Sequence, residues 1–117
     1  MPIIPSTEQT NYVQSLHGLL DLLLHDAYKA ANTQDQQDAI IDEAGDVHDI
    51  LTELNQGALD SDTAEFATLK TEVNGLNKKL QDMKNQIDNW VKDVGIAAQV
   101  VSAIDQAVNA AAKVFTL

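Results

Sequence analysis

The sequence predicts an all-α fold, and three observations carry that prediction. Both prolines lie within the first five residues, so residues 6–117 hold none of the residue type that forbids helix. Apolar residues recur at three- and four-residue steps through most of the chain, and the interruptions fall on residues that cap or break helices. The preferred arrangement is an antiparallel helical hairpin packed on one long heptad-repeat helix; the alternative is a four-helix up-down bundle with a turn at Gly95. A chain of 117 residues makes a single helical domain, residues 1–117, and is too short for two.

Ser6, with Gln9 three residues on, has the form of a capping box opening a first helix, about residues 7–31. Val13, Leu16, Leu20, Leu23, Ala27 and Ala30 share one face of it, and Leu19, Leu22 and Leu24 widen that face almost to the whole circumference. Asn32 and Thr33 stop this helix and cap a second, about residues 34–56, which places Ile40, Ala44, Val47, Leu51 and Leu54 on one side. Asn55-Gln56-Gly57 ends it. Asp60, Ser61 and Asp62 each offer an N-cap to a third helix, about residues 61–94, with Glu65 three residues past Asp62.

The strongest pattern follows. Phe66, Leu69, Val73, Leu76, Leu80, Met83, Ile87, Trp90, Val94, Ala97, Val101, Ile104, Val108, Ala111 and Phe115 step by three and four without a break, and every one is apolar. Between Phe66 and Val94 only Ala67 and Val91 are apolar off this seam, the narrow stripe of a contact with one close neighbour. Beyond Gly95 the apolar set broadens and the polar groups shrink to a line of Gln99, Ser102, Gln106, Asn109 and Lys113, with Asp105 and Thr116 beside it, so this alanine-rich end, about residues 96–116, is expected to be covered on most sides. Trp90 reads as part of the seam's core.

Gly95 decides between the two arrangements. No Ser, Thr, Asp, Asn or Pro follows it closely to start a new helix, and the heptad phase passes through it unshifted, which favours one continuous helix. Such a rod would be roughly 80 Å long and each hairpin helix under about 40 Å, leaving part of the seam free for a partner chain.

Composition narrows the functional classes. The formal net charge is −11, from 18 Asp and Glu against 7 Lys, and no nucleic-acid partner is expected of a surface so poorly equipped to neutralise phosphates. The absence of cysteine removes disulfides, thiolate nucleophiles and Cys-ligated metals. Residues 1–66 carry 13 acids and one base, Lys29, a net of −12, whereas residues 67–117 carry 5 acids and 6 lysines, a net of +1. Asp42, Asp46, Asp49 and Glu53 form an acidic edge on the second helix, read first as a solvated face and second as a docking strip for a basic partner.

Chemical constellations are sparse. His17, Asp21 and His25 fall at successive i, i+4 steps, and His48 comes level with His17 in an antiparallel hairpin; these four are weak metal-ligand candidates, read as surface residues. No Glu-x-x-His pair of the di-iron bundles occurs, and no Gly-x-Ser-x-Gly elbow, phosphate loop or dinucleotide fingerprint. No catalytic residue and no cofactor is expected.

The leading expectation is a non-enzymatic interaction or assembly protein, acting on itself or a helical partner through the seam and the alanine-rich C-terminal helix. An alternative is a lipid- or membrane-active protein, of the pore-forming or hydrophobic-surface-coating type, using residues 95–117; against it, that segment has Lys113 as its single lysine. A third is an acidic inhibitor of a basic site. Met1-Pro2-Ile3-Ile4-Pro5 has neither the basic start nor the long apolar run of a signal peptide, so cytoplasmic residence, or export without a classical signal, is expected.

Overall fold

In the computed structural model, which describes residues 6–54 and 63–115, 93% of the described residues are helical and the helices pack on one another as a bundle. Helix α1 is Ser6–Asp21 continued by a π-helical turn, Leu22–Ala27, and a last turn, Tyr28–Ala30; α2 is Gln34–Leu54, α3 Ala64–Trp90 and α4 Val94–Phe115. Helix α1 packs on α2 and α4, and α3 packs on the same two, so the four helices close a ring. At one end Tyr12 of α1, Phe66 of α3 and Phe115 of α4 meet, with ring centroids 6.1 Å apart for Tyr12–Phe115 and 5.1 Å for Phe66–Phe115. At the other end the α1–α2 linker meets the α3–α4 linker, and the helices therefore run alternately up and down.

Each described helix start after α1 has a side-chain cap. The Thr33 hydroxyl accepts from the Gln36 N–H at 3.2 Å, the Thr63 hydroxyl from the Phe66 N–H at 3.1 Å, and the Asp93 carboxylate from the Ile96 N–H at 3.1 Å. Helix ends leave carbonyls without partners, and here a linker and another helix supply donors. Asn32 N–H donates to the Trp90 carbonyl at 2.8 Å, Asn32 Nδ2 to the Asn89 carbonyl at 3.0 Å, and Gln9 Nε2 to the Leu54 carbonyl at 3.1 Å. Ala31 and Val91 form an antiparallel bridge, clasping the two linkers together.

The continuous third helix is corrected by these contacts. Helix α3 stops at Trp90, Val91 is extended at φ −129°, ψ 115°, and α4 starts at Val94 under the Asp93 cap. The molecule measures 48 × 21 × 20 Å, too short for an 80 Å rod of the kind a continuous helix requires. The turn of the alternative arrangement is also displaced: it lies at residues 91–93, and Gly95 sits inside the first turn of α4. A side chain there would come within 3.3 Å of the capping Asp93 carboxylate, so glycine leaves that cap undisturbed.

The break resets the seam. Leu69, Val73, Leu76, Leu80, Met83 and Ile87 are buried, but Trp90 is only half-buried and Val94, placed on the seam by its spacing, is 81% exposed. In α4 the buried face is Ala97, Val100, Ile104, Ala107, Ala111, Val114 and Phe115, which turns Val101 and Val108 to its flank, half-buried. Two end assignments also change. Thr63 caps α3, while the expected caps Asp60, Ser61 and Asp62 and the stop Asn55-Gln56-Gly57 lie outside the described residues. Helix α1 ends at Ala30 with its π turn closed by the Tyr28 N–H to the Leu23 carbonyl.

Candidate functional site

The four metal-ligand candidates do not converge. His17, Asp21, His25 and His48 are all exposed, and His25 lies inside the π turn, where a residue four steps on no longer overlies its predecessor. Among the described residues no group of three or more acidic or histidine side chains is arranged to hold a metal ion. The seam is likewise absent from the surface: from Leu69 to Ile87 it faces the chain's own helices.

What remains outside is a charged groove between α2 and α3. Helix α2 carries Asp35, Asp38, Asp42, Glu43, Asp46, Asp49 and Glu53 and no lysine. Of the acidic edge, Asp42, Asp49 and Glu53 are exposed and Asp46 is half-buried. The groove, about 780 Å³ and open to solvent, is lined by Asp46, Asp49 and Glu53 from α2 and by Glu72, Gly75 and Lys79 from α3, among others, with Ile50 and Leu76 as its apolar floor. Nothing lies within 4 Å of the position a Gly75 side chain would take, so the glycine keeps this space clear.

Electrostatics in the groove are unbalanced. Lys79 Nζ bonds Asp46 Oδ2 at 2.9 Å, and that hydrogen bond and charge hold the lysine's pKa above its ordinary value. Further along, Glu53 is held above the usual carboxylate range, first by a hydrogen bond with the Glu72 side chain, then by partial burial and the charges of Glu72 and Asp49. The two carboxylates come from different helices, so this contact is a place where negative charge meets without a cation between.

One turn from Asp46, Glu43 is 7% exposed, the only buried charged residue among those described. Its carboxyl is hydrogen-bonded to Asp46, and its Oε2 is enclosed without a hydrogen-bond partner. Burial above all, then the Asp46 hydrogen bond and charge and the Asp42 charge, against an opposing pull from Lys79, push its pKa up to about 7. Sequence spacing gives no hint of this residue, which reads as one more acid on an acidic helix.

The opposite side of the bundle differs. Helix α4 has Asp105 and Lys113 as its only charges, and Asp105 is tied to α3 by Lys84 Nζ at 2.7 Å. Its outward line, Ala98, Gln99, Ser102, Gln106 and Asn109, is exposed and uncharged until Lys113 near its C-terminal end. Among the described residues no helix is long and apolar enough to cross a membrane. No protein-family model matches this chain, and no curated protein and no solved structure is significantly similar to it.

Proposed function

We propose that this chain is a non-enzymatic helical interaction protein whose recognition surface is the acidic α2–α3 groove, and that its partner presents a basic segment. The observation that carries this reading is the convergence of carboxylates from two helices, Asp46, Asp49 and Glu53 against Glu72, over an apolar floor, with Lys79 as the one lysine among the lining residues, beside His48. A lysine- or arginine-bearing segment would place its cation between Glu53 and Glu72 while its aliphatic stems cover Ile50 and Leu76. Self-association through the heptad seam has less support, because those side chains are used within the bundle.

The test uses a lysine-rich amphipathic peptide. Binding should weaken steeply with salt, and the combined Asp49→Asn, Glu53→Gln and Glu72→Gln variant, changed at exposed residues of the groove, should lose it while remaining within about 1 kcal/mol of wild-type stability, as is usual for exposed charges. Equal binding by the variant at low salt would remove the groove from this role.

A second reading rests on α4. Its uncharged outward line and its two charges make it the helix least costly to transfer to a lipid surface if the bundle opens. Co-sedimentation with zwitterionic vesicles, together with insensitivity to the three groove substitutions, is the result that would favour this second reading over the first.

A further inference from the structure

We infer that Glu43 makes the α2–α3 contact proton-dependent: with a proton on its carboxyl the two helices close over it, and without one the contact encloses an unpaired charge and loosens. This goes beyond the partner reading and stands whether or not the groove takes a basic segment. The geometry is a mismatch of charges at one level of the bundle. Asp42, Glu43 and Asp46 lie within four residues on α2, and Lys79 is the cation that reaches them from α3. Its ammonium is engaged by Asp46 Oδ2 at 2.9 Å. Asp42 is exposed and keeps its hydration, but Glu43 is enclosed, and its Oε2 meets no donor.

An ionised carboxylate in that position would have lost its water without gaining a cation, a cost that buried acids escape by taking up a proton. The protonated form suits this arrangement: a neutral carboxyl can donate one hydrogen bond to the neighbouring Asp46 carboxylate, which still accepts from Lys79. The position is also built as core, since Ile40 and Val47, one turn to either side, are fully buried. The charges that bear on Glu43 are Asp42 and Asp46 from its own helix and Lys79 from α3; α1, the other helix packed on α2, contributes none.

The direction of the pH effect follows. In the unfolded chain this carboxyl releases its proton around its ordinary value of 4.5, and in the bundle only around 7, so the folded state holds the extra proton between those values. Stability is therefore greatest at the acidic end, falls as pH rises through that window, and levels off above it.

The experiment follows the carboxyl carbon shift of Glu43 by NMR and measures denaturant unfolding of wild type and Glu43→Gln from pH 5 to pH 8.5. Glutamine keeps the shape and removes the titration. Histidines and surface carboxylates are common to both proteins and cancel in the difference. The wild-type unfolding constant should rise by on the order of 100-fold more than that of the variant over this range. Amide exchange should quicken first in α2 and α3. A Glu43 carboxyl that titrates near 4.5, or equal pH dependence in the two proteins, overturns the inference; the carboxyl titration decides alone if the variant does not fold.

Discussion

The α2 and α4 sides of the bundle sit diagonally across from each other and hold the fold by different means. Helix α4 buries Ala97, Val100, Ile104, Ala107, Ala111, Val114 and Phe115 and carries two charges, of which Asp105 is paired. Helix α2 also buries aliphatic residues, but it does so under seven carboxylates and with Glu43 among them. Apolar burial is indifferent to pH and little affected by moderate salt, whereas contacts closed over acids depend on both. The bundle thus has one unconditional side and one whose stability is set by its ionisation.

The largest effect expected is on the α4 side. Ile104→Ala removes most of a fully buried side chain and should cost about 3 kcal/mol, by the same amount at pH 5 and pH 8. Denaturant unfolding at the two pH values checks this, and a pH-dependent cost would erase the contrast. Because Leu80 and Ile104 are both internal, Leu80→Asn and Ile104→Asn should each lower the melting temperature. Next, Asp93→Ala removes the cap of α4 and should cost about 1 kcal/mol, with amide protection lost first in residues 94–97. The smallest effect belongs to α2. Glu53→Gln relieves the like-charge contact with Glu72 and should stabilise by no more than about 0.5 kcal/mol at pH 7, the range for exposed charges. That gain should vanish at a pH where both carboxyls are protonated.

Periodicity and caps made most of the fold legible. The buried run from Phe66 to Ile87 is the run that the spacing marks, and Thr33 caps α2 as its position before an apolar pattern suggests. The α3–α4 break is not legible by the same means, because no capping residue closely follows Gly95, the chain's one helix breaker in that stretch, and the cap, Asp93, stands two residues before it. The other cause of the break is a partner 57 residues distant in sequence, Asn32, which satisfies the Asn89 carbonyl and makes an early helix end inexpensive. The π turn was hidden by its own composition: with Leu22, Leu23 and Leu24 in a row, either register buries a leucine, and the structure leaves Leu24 at 39% exposure. Of the candidate site, the acidic edge was visible in the spacing of Asp42, Asp46, Asp49 and Glu53. Glu72 and Glu43 were not, since one comes from another helix and the other differs from its neighbours only in burial. Tyr12, fully buried with a hydroxyl that lacks a hydrogen-bond partner, likewise carries no mark in an apolar pattern that begins at Val13.

The clasp between the linkers has a consequence for the order in which the chain assembles. Each hairpin, α1 with α2 and α3 with α4, closes over a short connection or a nearby segment, while the Ala31–Val91 bridge encloses a loop of about 60 residues, whose closure entropy is several times RT. Contacts of such wide sequence separation form after local ones, so the clasp is expected to close late, once the hairpins have docked. It also sorts the docked states. A pair of hairpins displaced by one helical turn, about 5.4 Å, would still bury aliphatic side chains, but the Asn32 N–H would miss the Trp90 carbonyl and both would be left without partners. The linkers therefore act as a register mark, rejecting slipped bundles that an alanine- and leucine-rich interior would otherwise tolerate.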